Sequence, residues 1–223
     1  MRPFEVVQKE IADSDSSSKA NLIVVSKNRT QEELNSFMTL FEKQKHFGEN
    51  RVSQLQEKAM FFHEKEPKKE LCWHFIGNLQ SNKIKKLLEI PNLYALHSVS
   101  SVELFEKLLN KITSPLFFFL QINLCQASSK QGLSFKQAED CLKEYQKISS
   151  QTPFKLKGLM AMGEEGDLVK TKMIFQEVKK FALLMQEKYC LDTLELSMGM
   201  SEDYLLALEI GTHWIRLGKK LFS

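Results

Sequence analysis

Short apolar runs alternate with charged, amphipathic stretches along almost the whole chain. The apolar runs are residues 22–26 (LIVVS), 46–49 (HFGE), 73–77 (WHFIG), 93–98 (LYALHS), 117–123 (FFFLQIN), 156–162 (LKGLMAM), 194–199 (LELSMG) and 213–218 (HWIRLG). Each is short and largely apolar, and most carry β-branched or aromatic residues, the signature of a buried strand. Residues 30–45, 51–64, 82–89, 101–110, 135–148, 168–189 and 202–210 between them read as helices, and a further helix over 4–12 precedes the first strand. Thr30 with Glu33 and Ser100 with Glu103 have the spacing of capping boxes. Strands that are apolar nearly throughout and alternate with helices predict a parallel sheet covered on its faces. Eight such strands are the number that closes an α/β barrel. The expected fold is therefore α/β, a single (β/α)8 TIM-type barrel over residues 1–223 with residues 1–20 as an N-terminal helical extension. A doubly wound open sheet is the competing architecture, but LIVVSKNRT carries no glycine for a phosphate-binding turn after the first strand.

Composition changes this picture only by exclusion. With 43% hydrophobic and 26% charged residues the chain has ample material for a core. The net charge is only +3, and of 31 basic residues just Arg2, Arg29, Arg51 and Arg216 are arginine. That leaves little basis for reading nucleic acid, which relies on arginine forks. The longest apolar run, Leu116 to Leu120, is far short of the roughly 20 residues that span a bilayer. The amino end is too polar for a signal peptide. Cys72, Cys125, Cys141 and Cys190 form no CxxC pair, which suggests reduced thiols rather than a redox or zinc site. The expectation is a soluble, cytoplasmic, monomeric protein without metal.

In a barrel the chemistry gathers at the carboxyl ends of the strands. Lys27 follows the first strand; a stem partly desolvated at the barrel mouth would favour the neutral, nucleophilic amine. Alternatively it is one more solvated surface lysine. The segment LSMGMSEDY offers Ser201 as an N-cap and free amides for an anion, or simply a capped helix. Arg216 lies between Ile215 and Leu217 in a strand that should be buried, where a guanidinium must find partners. It either forms an internal salt bridge, for instance to Glu195, or stands as a fixed donor beneath a ligand heteroatom. His74, in WHFIG, reads as a satisfied core histidine. Few acids fall at strand ends, Glu49 being the main exception, so a paired-carboxylate hydrolase lacks support.

Taken together, LIVVSK, HFGEN, WHFIGNLQSNK, SKQGL, LKGLMAM, LSMGMS and IRLG stand in the order and at the spacing of the pyridoxal phosphate homeostasis proteins. The chain resembles that family, single-domain relatives of the alanine racemase barrel, from about Leu22 to Phe222. The resemblance implies a barrel with pyridoxal 5′-phosphate at its mouth. Lys27 would carry the cofactor aldehyde as a Schiff base, Asn50 would lie near the ring, Met200 and Ser201 would lie at the phosphate, Arg216 would approach the pyridine nitrogen, and the Gly218 amide would complete the phosphate cradle. Lys219 and Lys220 follow Gly218 where the family usually has a hydroxyl residue and then a small one. An arginine at the ring nitrogen weakens the ring as an electron sink. Racemisation also needs a base on the opposite face. Racemases that resemble this barrel take it from a tyrosine on an added β-domain, for which the length leaves no room. The expected role is a carrier in intracellular vitamin B6 homeostasis that delivers the cofactor to apo-enzymes, with Lys130 as a second amine in transit. A weak racemase and a Schiff-base aldolase of sugar phosphates are the competing readings.

Overall fold

The computed structural model describes residues 1–14, 19–124 and 131–222. Among these, eight parallel strands close into a barrel in sequence order: β1 (Asn21–Val25), β2 (His46–Glu49), β3 (Cys72–Phe75), β4 (Leu93–Val99), β5 (Leu116–Ile122), β6 (Phe154–Ala161), β7 (Glu195–Ser197) and β8 (Trp214–Leu217). Closure is made by β8 against β1, with Ile23 opposite Arg216 and Val24 opposite Leu217. Helices α1 (Pro3–Ala12), α2 (Gln31–Leu40), α3 (Val52–Lys65), α4 (Ile84–Leu88), α5 (Val102–Leu109), α6 (Phe135–Ile148), α7 (Leu168–Tyr189) and α8 (Tyr204–Ile210) surround it. The barrel expected from the alternation is thus present.

Strand alternation divides the core in two. Leu22, Val24, Phe47, Trp73 and Phe75 face outward into the large cluster shared with the helices. Ile23, Ala95, Phe119, Met160 and Trp214 face inward and fill the barrel itself. Among the described residues no α-helix follows β8, and α1 supplies cover on that side: Phe4 packs on Phe37 of α2 and on Phe41 just past its end, with ring centroids 5.3 and 4.1 Å apart. The Tyr204 hydroxyl at the start of α8 donates to Glu10 of α1 over 2.6 Å.

Three boundaries depart from expectation. α2 ends at Leu40 rather than 45, because Phe41 leaves the helical region (φ −130°) to lie against Phe4. The cap of α5 is Ser101, whose side chain accepts from the Leu104 amide, and not Ser100. The capping box at Thr30 and Glu33 is present, with both reciprocal bonds made. α8 starts at Tyr204 with Asp203 at its N-cap, so Ser201 lies in the turn before the helix rather than capping it.

Candidate functional site

Lys27, Asn50, the 198–201 loop, Arg216 and Gly218 are far apart in sequence, yet they follow β1, β2, β7 and β8, which are consecutive around the closed barrel. Ile23 points into the barrel, and Lys27 follows two residues past the end of β1. Gly48 is equally inward, since a Cβ there would meet Ile23 at 2.8 Å, and Asn50 continues its parity. Gly77 lets the loop after β3 pass against the Asn50 backbone, where any side chain would collide with the carbonyl.

Arg216 is the most constrained member. It is 5% exposed, and its Nη1 donates to the Ser197 carbonyl (2.7 Å) and hydroxyl (2.6 Å), its Nη2 to the Ala161 carbonyl (3.2 Å). Burial pulls its pKa down to about 10, opposed by Asp203, so it stays cationic at neutral pH. The salt bridge to Glu195 is not made. Glu195 pairs instead with Lys157 at 2.9 Å and accepts from Trp214 Nε1. The reason is strand position: Glu195 lies two residues nearer the amino end of β7 than Ser197, one inward layer away from Arg216.

Behind Ser197 runs a column of histidines from successive strands. Ser197 Oγ is 2.9 Å from His97 Nδ1, His97 Nε2 is 2.8 Å from His74 Nδ1, and His74 Nε2 is 2.9 Å from His46 Nδ1. Arginine can only donate, which leaves the Ser197 hydroxyl hydrogen available to His97 Nδ1; with His97 in that tautomer each imidazole donates from Nε2 to the next. Burial holds His74 and His97 well below the usual histidine range and His46 at about 4, so the column is neutral. His74 is therefore the satisfied core histidine expected, and also part of the support beneath Arg216.

The rim is different. Lys27, Asn50, Met200, Ser201 and Lys219 are all exposed. For Lys27 this departs from the expected partly covered stem: β1 stops at Val25, so Lys27 sits two residues past the strand, in a turn closed by the Arg29 amide on the Ser26 carbonyl. Asn28 takes the left-handed conformation of that turn (φ 63°), which asparagine tolerates. In the 198–201 loop Gly199 has φ 96°, and its carbonyl accepts from the Arg216 amide. The Met200 amide donates to Asp203, a buried carboxyl raised by desolvation. Gly218 lies over the end of β1, where a Cβ would come within 3.1 Å of the Val25 carbonyl. Lys220 Nζ donates to the Tyr204 hydroxyl. Lys130 falls outside the described residues.

Sequence reasoning missed Ser197, His97 and His46 as support for Arg216, and Lys58 as the partner of Glu49. Alternation held the signal: each histidine occupies an inward position of an otherwise apolar run. Glu49 turns away from the mouth; it is fully buried and pairs with Lys58 at 2.6 Å.

A barrel mouth with a buried cation in its wall and glycine turns around it defines a class, the cofactor-binding α/β barrels. Residues 12–223 match the family model described as alanine racemase, N-terminal domain. Proteins named pyridoxal phosphate homeostasis protein are similar along most of the chain. That of Caenorhabditis elegans is 31% identical over 99% of this chain and 92% of its own. That of Helicobacter pylori (strain ATCC 700392 / 26695) is 35% identical over 91% and 86%. Among solved structures, PipY of Synechococcus elongatus PCC7942 with PLP bound superposes with a TM-score of 0.84 at 29% identity, covering 99% of this chain and 98% of that one. Alanine racemase of Corynebacterium glutamicum, at 11% identity and TM-score 0.66, shares the fold alone. The chain belongs to the pyridoxal phosphate homeostasis protein family, within the alanine racemase N-terminal domain family.

Proposed function

We propose that this protein binds pyridoxal 5′-phosphate at the barrel mouth and serves in intracellular vitamin B6 homeostasis as a carrier that hands the cofactor to apo-enzymes. The observation that carries the reading is Arg216, a cation fixed inside the barrel by Ser197 and Ala161 and not neutralised by a contacting carboxylate. The donor set suits an anionic aromatic aldehyde: an exposed amine at Lys27 just past β1, a guanidinium for a ring nitrogen, and glycine turns at 199 and 218 where an anion can approach main-chain amides. When bound, the group supplies an aldehyde that condenses reversibly with an unprotonated amine, releasing water. Lys27 is that amine. Asn50 lines the ring side, Met200 and Ser201 with the Gly218 amide receive the phosphate, and Arg216 keeps the ring nitrogen unprotonated by presenting a donor there.

Carriage rather than turnover is favoured by where the tyrosines lie. Tyr94 packs against His46 and Trp214 low in the barrel. The Tyr145 hydroxyl accepts from the Leu156 amide, the Tyr189 hydroxyl donates to Glu139 and the Tyr204 hydroxyl to Glu10. Tyr94, Tyr145 and Tyr189 are engaged away from the mouth, and Tyr204, beside the 198–201 loop, has its hydroxyl held between Glu10 and Lys220, so none stands ready as an opposing base for amino-acid racemisation. The test is an absorbance titration with pyridoxal 5′-phosphate. A visible band is expected in the wild type and absent in Lys27→Ala, with cofactor transfer to an apo-enzyme and negligible alanine racemisation. An unchanged band in Lys27→Ala overturns the Lys27 assignment, and robust racemase turnover overturns the carrier.

A further inference from the structure

The barrel holds one buried ion pair that the site description leaves without a role. Lys58 projects from the core-facing side of α3, among Leu55, Ala59 and Phe62, and is 6% exposed. Its ammonium donates to Glu49 Oε1 (2.6 Å) and to the Ser26 carbonyl (2.7 Å). The Ser26 hydroxyl also donates to Glu49 Oε1, over 2.9 Å. Glu49 Oε2 is buried with no partner. A pair of this kind is a poor stabiliser: both charges lose hydration, and an unsatisfied carboxylate oxygen adds to the cost. Packed hydrophobic residues would hold β2 to α3 at least as well.

What the pair does hold is specific. The Ser26 carbonyl belongs to the peptide that joins Ser26 to Lys27. It accepts from Lys58 and from the Arg29 amide that closes the Lys27 turn. That turn contains Asn28 in the left-handed region. Fixing this carbonyl fixes the plane of the Ser26–Lys27 peptide, and with it the direction in which the Lys27 stem departs. The same Glu49 is the neighbour of Asn50. One buried pair therefore anchors two adjacent strand ends, each immediately before a residue assigned to the cofactor.

We propose that Lys58 and Glu49 are positioning residues that set the Lys27 turn relative to Asn50, so that the Lys27 amine meets its aldehyde in a fixed place. This rests on Lys27 as the cofactor amine. The decisive variant is Lys58→Met with Glu49→Leu, which removes both charges and keeps the volume apolar. Its melting temperature is expected to match or exceed the wild type. The Lys27-dependent visible band is expected to form about tenfold more slowly on addition of pyridoxal 5′-phosphate, because the amine is no longer pre-placed. A second measurement needs no cofactor: competitive acylation across pH, read by mass spectrometry, compares Lys27 with the exposed Lys43. The pH profile of Lys27 relative to Lys43 is expected to shift in the double variant. Should that variant fail to fold, Lys58→Gln with Glu49→Gln, which removes both charges and keeps polar side chains of similar shape, carries the decision with the same two readouts. A folded variant with wild-type rate and wild-type acylation profile overturns the proposal. Absence of a Lys27-dependent band in the wild type would instead overturn the cofactor reading, and the acylation profile would still decide whether the pair positions Lys27.

Discussion

The floor and the rim of the barrel mouth are built on opposite principles. At the floor, Arg216 is buried, bonded to three acceptors and backed through Ser197 by three neutral imidazoles. At the rim, Lys27, Asn50, Met200, Ser201 and Lys219 stand exposed, on turns rather than strands. A floor whose partners are all protein groups is organised before any ligand arrives, so ordering it costs nothing at binding. Exposed rim side chains must instead lose rotamer freedom when they engage. Under the proposed function, the ring end would meet a preformed partner, and the reactive and phosphate ends would meet groups that must be ordered on binding.

The comparison breaks first at Arg216. Arg216→Met leaves the carbonyls of Ser197 and Ala161 and the Ser197 hydroxyl without their donor, at about 1–3 kcal/mol for each buried unsatisfied group. A total loss of about 3–5 kcal/mol is expected in urea unfolding, together with pyridoxal phosphate binding at least about tenfold weaker. A loss below about 1 kcal/mol would mean that the floor relaxes freely and is not rigid.

Acid tests the column beneath it. His74 and His97 are fully buried with pKa values well below 6.5, so between the folded and unfolded values the unfolded chain binds more protons. Their contribution is therefore complete above about pH 6.5 and is lost progressively as the pH falls below it. At pH 5.5 the two together are expected to withdraw about 3 kcal/mol relative to pH 7.5. Denaturant midpoints measured across that range check this, and His74→Phe should flatten the profile. A flat wild-type profile would show that the imidazoles take up protons in the folded protein as readily as in the unfolded chain.

How much of this was legible beforehand follows the same division. Alternation of apolar runs and helices gave the barrel, and the isolation of Arg216 in an apolar strand marked the floor. Its partners were not legible, because closure places β6, β7 and β8 side by side and only then do Ala161 and Ser197 meet residue 216. Glu195 was a plausible partner on charge alone; layer spacing along β7 decided against it. At the rim, the pattern located the loops but not their exact turns. Ser201 reads as a cap on residue type, yet Asp203 occupies that position, folding its carboxylate back to the Met200 amide. Lys58 was not singled out, although it falls on the helix face shared by Leu55, Ala59 and Phe62.

Two smaller changes address the rim. Ser201→Ala removes one exposed hydroxyl and should leave stability within about 0.5 kcal/mol. If that hydroxyl receives the phosphate, pyridoxal phosphate affinity falls about fivefold while pyridoxal, which lacks the phosphate, is unaffected. Equal effects on both ligands would remove Ser201 from the phosphate.

The smallest effect is expected at Lys219, which replaces the hydroxyl residue usual in the family. Of the two lysines after Gly218, Lys220 reaches back to Tyr204 and through it to Glu10 of α1, whereas Lys219 is exposed beside the cradle. An exposed ammonium near a phosphate gains little, because water and salt screen it, about 0.3–1 kcal/mol at low ionic strength. Lys219→Ala should therefore weaken pyridoxal phosphate binding less than about fivefold in dilute buffer, and the difference should vanish near 1 M salt, where the screening length is about 3 Å. Lys219→Thr, restoring a hydroxyl, should retain its affinity at both salt concentrations, because a short hydrogen bond is not screened as a long-range charge is. An Ala variant whose loss persists at high salt would put the Lys219 ammonium in direct contact with the phosphate and make this part of the rim as fixed as the floor.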